Sequence, residues 1–131
     1  MIGLDTNIIV RYLAQDDPVQ SLKATYVFEQ LLTEQQPGFI SVVAIVEIAW
    51  VLQRSYSLAS GDIAAAIERM LQVEVLVVES EQEVFAAMIA LKEGRGSFAD
   101  ALIGALCAKA GCVRTLTFDQ KALRLPGFEL P

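Results

Sequence analysis

Short apolar, β-rich runs alternate along the chain with longer segments whose apolar residues recur at helical spacing. This alternation predicts a parallel sheet covered by helices on both faces. Met1–Leu4 reads as a strand ending at Asp5, and Thr6–Leu13 as a short helix. Asp17-Pro18 supplies an N-cap with proline at the first helical position. Val19–Gln35 then reads as an amphipathic helix with Leu22, Tyr26, Leu31 and Leu32 on its inner face, stopped by Pro37-Gly38. Phe39-Ile40 is a short strand, Ser41 a cap, and Val42–Ser55 a helix apolar almost all round, which reads as burial. Ser60 caps a helix to about Gln72, and Val75–Val78 is a strand run without a polar face. Ser80-Glu81-Gln82-Glu83 matches a capping box and predicts a helix to about Glu93, with Gly94 as its stop. Ser97-Phe98-Ala99-Asp100 opens a helix ending at Gly111, Val113–Phe118 is the last clear strand, and Phe128–Leu130 adds an edge strand. No repeat or linker interrupts the pattern, so one domain is expected.

Composition narrows the chemistry. The chain of 131 residues is 54% apolar, yet its longest greasy stretch, Phe39–Leu52, is too short for a membrane span and contains Glu47. No basic segment followed by an apolar run stands at Met1, so a cytoplasmic location is the expectation. Cys107 and Cys112 form neither a CxxC pair nor a zinc set, and both read as reduced, buried thiols. There is no histidine, which excludes Ser-His-Asp and Cys-His catalysis, histidine-based ribonuclease chemistry and His-ligated zinc. A formal charge of −6 argues against binding nucleic acid by bulk positive charge.

Glu29, Glu34, Glu68, Glu81, Glu83 and Glu93 fall on polar helix faces, where acids are ordinarily solvated. Four acids do not fit that pattern. Asp5 and Asp119 each follow an apolar strand, the position where open parallel sheets bind ligands. Asp100 lies in the first turn of an apolar helix. Glu47 interrupts an apolar run in which its helical neighbours are Val43, Ala44, Trp50 and Val51, and no partner charge comes before Arg54. Structural readings compete at each position: Asp5 and Asp119 as helix caps, Asp100 as the acidic partner of a Ser97 capping box, Glu47 in a buried or interfacial ion pair. Grouped on one side of a sheet, the four would repel one another unless a cation neutralised them. With oxygen ligands only, that cation is a hard one, Mg²⁺ or Mn²⁺, and a carboxylate-held divalent ion in a crevice suits phosphoryl chemistry.

A family resemblance follows from the same residues. Asp5-Thr6-Asn7 after a strand, Ser41 and Glu47 within a greasy helix, Ser97–Leu102 opening another, and Thr115–Asp119 at a strand end together resemble the PIN-domain nucleases. More narrowly, the chain is similar to the VapC-type toxins of toxin–antitoxin pairs. The resemblance implies a single PIN-like domain over residues 1–131, an α/β/α sandwich around a central, mainly parallel sheet of four to five short strands. It implies an endoribonuclease leaving 5′-phosphate and 3′-hydroxyl ends, with Asp5, Glu47, Asp100 and Asp119 holding one or two Mg²⁺ or Mn²⁺ ions. Thr6, Asn7, Ser41 and Thr117 would orient those carboxylates. Arg11, Arg95, Lys121 and Arg124 are the candidates for RNA phosphate contacts. The implied partners are RNA, a cognate antitoxin and a second copy of the chain, with apolar positions on Val19–Gln35 and around Trp50–Tyr56 available for packing. Two alternatives stay open. One is a PIN nuclease of RNA processing without a toxin role. The other is a phospho-acceptor, receiver-like signalling module, although Asp5 is single where such modules pair acids.

Overall fold

The computed structural model describes residues 1–131. Strand β1 (Ile2–Gly3) pairs in parallel with β2 (Gly38–Ile40), which pairs in parallel with β3 (Leu76–Val78). Gly38 sits at the middle of this sheet because a Cβ there would meet Leu4 Cδ1 at 2.7 Å and Leu32 Cδ1 at 2.9 Å. A second parallel ladder joins β4 (Thr115–Leu116) to β5 (Phe128–Glu129). All three pairings are parallel, but the strands form a sheet of three and a separate ladder of two. The α/β class and its flanking helices are those expected from the alternating pattern.

Six helices follow the strands: α1 (Thr6–Ala14), α2 (Pro18–Tyr26), α3 (Val42–Tyr56), α4 (Ser60–Gln72), α5 (Glu81–Lys92) and α6 (Phe98–Lys109). Several boundaries follow local chemistry. Asp17 Oδ1 accepts the Val19 and Gln20 amides at 3.1 and 2.8 Å, with Pro18 opening α2. Gly94 and Gly111 take positive φ just beyond α5 and α6, where a left-handed residue lets the chain turn away. One apolar core runs under the helices, its fully enclosed side chains including Ile9, Ile40, Ile45, Ile48, Ile67, Val84 and Met88.

Elsewhere, tertiary packing overrides the local pattern. Helix α2 passes into a π turn (Val27–Leu31) and ends four residues before Gln35. Its buried face is Ser21, Ala24, Phe28 and Leu32, whereas Leu22 is 72% exposed and Tyr26 and Leu31 are also open. The small residues set this phase: they let α2 approach α1, where Ser21 Oγ donates to the Arg11 carbonyl at 3.0 Å. Helix α3 buries Ala44, Ile45, Ile48, Ala49 and Leu52 but presents Val43 (72% exposed), Glu47 and Trp50 to solvent. It is thus one-faced rather than enclosed. Ser60 is the first helical residue of α4, after Ala59, and makes no cap bond.

Ser80 does not build a capping box. Its backbone is left-handed (φ 51°), and its Oγ accepts from Lys109 Nζ at 3.3 Å, which also pairs with Glu83 at 3.3 Å. A cation from α6 has replaced the local cap. The strand expected over Val113–Phe118 shrinks to Thr115–Leu116, leaving Val113 at 96% and Phe118 at 87% exposure, because only β5 pairs with it. Cys112 is exposed and Cys107 half-buried, so the expected burial of both thiols does not hold. The C-terminal segment is seated on the rest of the molecule through side chains. A Cβ at Gly104 would stand 2.5 Å from the Phe128 ring, and one at Gly96 would stand 2.9 Å from Leu125. No helix is long and apolar enough to cross a membrane.

Candidate active site

Helix α3 separates two clefts. One, of about 320 Å³, lies between α3 and the start of α1 and is lined by Asp5, Thr6, Asn7, Arg11, Glu47 and Tyr56 among others. The other, of about 690 Å³, lies between α3, the turn from α5 to α6, the first turn of α6 and a 3₁₀ turn (Gln120–Arg124). Its lining includes Trp50, Gln53, Arg95, Asp100, Asp119, Lys121 and Arg124. The four singled-out acids therefore meet in pairs, Asp5 with Glu47 and Asp100 with Asp119.

Each acid is delivered by a helix start or an open helix face. Asp5 keeps an extended backbone after β1 and caps α1, its Oδ1 accepting the Thr6 amide at 2.8 Å while Thr6 itself is buried. Asp119 caps the 3₁₀ turn, its Oδ1 accepting the Lys121 amide at 2.9 Å. Thr117 Oγ1 accepts the Asp119 amide at 3.0 Å and so fixes where that residue points. The capping readings of Asp5 and Asp119 are thus realised, but each employs a single carboxylate oxygen. Asp100 differs. Ser97 Oγ accepts its amide at 3.1 Å, yet the carboxylate does not return to the Ser97 amide as a capping box requires, and it has no hydrogen bond or ion pair. Glu47 likewise has neither within the chain, and its exposure sets aside the buried ion pair.

The acids are also wetter than an apolar setting implies. Asp5, Glu47 and Asp119 are exposed and Asp100 is half-buried, because the face of α3 carrying Glu47 has no helix packed over it. Ser41 lies outside both clefts and caps α3, accepting the Ala44 amide at 3.1 Å. Asn7 lines the smaller cleft with no hydrogen bond.

The cations divide just as the acids do. Arg11 is engaged within the fold: Nε donates to Gln20 at 2.8 Å, and one terminal nitrogen contacts Tyr56 Oη at 3.1 Å and Asp16 Oδ1 at 3.3 Å. Tyr56 in turn donates to Asp16 Oδ2 at 2.7 Å. That phenol hydrogen bond, more than the neighbouring Arg11 charge, holds the Asp16 carboxyl below the ordinary aspartate range. The same bond raises the Tyr56 phenol above its ordinary value. Lys121 and Arg124, in contrast, make no side-chain hydrogen bond or ion pair. Arg95 Nε, buried from solvent, stands 3.4 Å from Glu93 Oε2 as an ion pair without forming a hydrogen bond.

Sequence reasoning did not single out Gln53 or the Tyr56–Asp16 pair, which depend on how α1, α2 and α3 cross. Gln53 carried a legible signal, since it follows Trp50 at helical spacing on the face next to Glu47.

The carboxylates fit a hard divalent cation in kind. Mg²⁺ is usually held by one or two carboxylates together with water and substrate phosphate, which matches a pair in each cleft. No three acidic side chains gather closely enough to form a metal-holding group by themselves, so water and substrate oxygens would have to complete the coordination.

Comparison with known proteins adds the family. Neither the curated proteins nor the solved structures yield a match. A family model described as PIN domain matches residues 2–127, nearly the full length. The chain belongs to the PIN domain family, whose members are generally nucleases that use divalent metals.

Proposed function

We propose that this protein is a Mg²⁺- or Mn²⁺-dependent endoribonuclease, that it acts as the toxin of a toxin–antitoxin pair, and that residues 1–131 work as a single PIN-like unit. The observation that carries the nuclease reading is the larger cleft. There a carboxylate without a hydrogen bond or ion pair, Asp100, lines one cleft with Asp119 and with Arg95, Lys121 and Arg124. Acids for an ion and cations for a phosphodiester in one cleft are what phosphoryl transfer needs.

Asp5, Glu47, Asp100 and Asp119 would hold one or two ions. When bound, such an ion holds phosphate oxygens and acidifies the water that attacks in line. The chain's own groups do the remaining work. Ser97 holds the Asp100 amide and Thr117 the Asp119 amide, fixing both backbones before substrate arrives. Lys121 and Arg124, which have no acidic partner in the fold, neutralise substrate phosphates, with Arg95, whose Nε faces Glu93 at 3.4 Å, adding charge to the same wall. Arg11, already committed to Asp16, Tyr56 and Gln20, stiffens the rim of the smaller cleft. A carboxylate not engaged with an ion can take the water's proton, so the lack of histidine is no obstacle.

With the PIN family shown, the receiver-like reading is set aside. The toxin role rests on the VapC resemblance, and the exposed Val19, Leu22 and Tyr26 of α2 supply apolar surface for an antitoxin or a second copy. The test is RNA cleavage followed by sequencing of the ends. Cleavage abolished by EDTA, restored by Mg²⁺ or Mn²⁺ and reduced more than about 100-fold in Asp100→Asn supports the nuclease. Asp100→Asn cleaving at the parental rate overturns it. Growth arrest relieved by the product of a neighbouring reading frame supports the toxin role, and no arrest leaves a nuclease of RNA processing.

A further inference from the structure

The residue in the larger cleft that the reaction does not account for is Trp50. It is the only tryptophan of the chain, and it stands 53% exposed on α3 although the core next to it is closed by Ala49 and Leu52. Leaving an indole in water forgoes much of the largest burial gain any side chain offers. It lines the cleft together with Asp100, Asp119, Arg95, Lys121 and Arg124. The Arg54 guanidinium carbon lies 4.9 Å from the ring centroid, covering the indole from outside the cleft, since Arg54 is not among the cleft's lining residues. That cation–π contact braces the ring while more than half of the residue remains exposed.

We infer that Trp50 is the stacking platform for an unpaired nucleobase beside the phosphate that is cut. The inference rests on the nuclease reading and names what that site selects. Three features favour a nucleotide as the occupant. The cleft, about 690 Å³, is within the about 300–1,000 Å³ range of sites that enclose a small ligand. Its polar wall offers three cations to phosphates on either side of the base. Among the apolar residues of the lining, Trp50 is an exposed one that presents a flat π surface, which accepts any base by its face. A base within a duplex has both faces covered by its neighbours, so only a single-stranded or extruded nucleotide can reach the indole. Trp50 thereby makes the enzyme selective for unpaired RNA without reading sequence.

The unique tryptophan supplies a reading independent of cleavage. With the full chain in EDTA, oligoadenylate should quench Trp50 emission saturably, whereas the same strand annealed to oligouridylate should not. Trp50→Ala should weaken oligoadenylate binding by about 5- to 150-fold and raise KM more than it lowers kcat, with Trp50→Phe restoring most of the loss. RNA bound by anisotropy with unchanged Trp50 emission, equal quenching by the duplex, or a Trp50→Ala protein that binds and cuts like the parent each overturns the stacking role while leaving the nuclease intact. The last result, if joined to lost binding of a protein partner, would reassign Trp50 to that partner. A parent protein that neither binds nor cuts RNA removes both readings.

Discussion

The two clefts flanking α3 hold the same kind of acid pair but opposite kinds of cation. In the smaller, Arg11 is tied to Gln20, Asp16 and Tyr56, so its charge serves the junction of α1, α2 and α3. In the larger, Lys121 and Arg124 touch no acid, and only Arg95 has one, Glu93 at 3.4 Å from its Nε. Proximity of a basic residue to an acidic motif in sequence therefore does not decide whether the base is structural or free for a ligand. What decides it is whether the fold has already supplied the cation's acceptors.

The strongest way to break this comparison is to neutralise one acid in each cleft. If both pairs serve one reaction, Asp5→Asn and Asp100→Asn each lose more than about 100-fold in metal-dependent RNA cleavage. A deep loss at Asp100 alone would confine the chemistry to the larger cleft. Next in size is the salt dependence of binding. Alanine at Lys121 or Arg124 should lower the slope of log K against log salt by about 0.7 for each lost phosphate contact. Arg11→Ala should leave the slope unchanged and lower the melting temperature instead. The smallest effect belongs to Tyr56→Phe, which removes the phenol donor to Asp16 and should lower the melting temperature by a few degrees at neutral pH. Its pH dependence has a definite sign. Asp16 titrates below its unfolded value, so the bond's contribution is complete above about pH 4 and is lost as pH falls through the depressed value. Parent and Tyr56→Phe melting curves should therefore converge in acid. Tyr56, raised, stays protonated and donating across the neutral range and gives up its contribution only above its ordinary pKa.

What the sequence discloses is what short-range chemistry controls. Asp17-Pro18, Ser41, Ser97, Gly94 and Gly111 act within a turn of themselves and stand where local rules put them. Ser80 does not, because Lys109 reaches it from another helix. The phase of α2 is hidden by Ser21 and Ala24, whose small size, not their hydrophobicity, makes them the buried face. For the site, the order and identity of the acids are legible, since a carboxylate after a strand or inside an apolar run is conspicuous. Their division into pairs depends on which side of α3 each element docks, and the freedom of Lys121 against the engagement of Arg11 depends on side chains far apart in sequence.

The C-terminal ladder gives the molecule an uneven cohesion. Residues 115–129 return to the body through the Phe128 seat at Gly104 and the Leu125 seat at Gly96, without a strand joined to the three-stranded sheet. A two-stranded ladder has little stability of its own, so the segment depends on the burial of Ala122 and Leu125 against the body. Asp119, Lys121 and Arg124 ride on that segment. One wall of the larger cleft is thus held by side-chain burial alone, so a substitution at Leu125 or Phe128, far from the acids, should cost the site Asp119, Lys121 and Arg124 together.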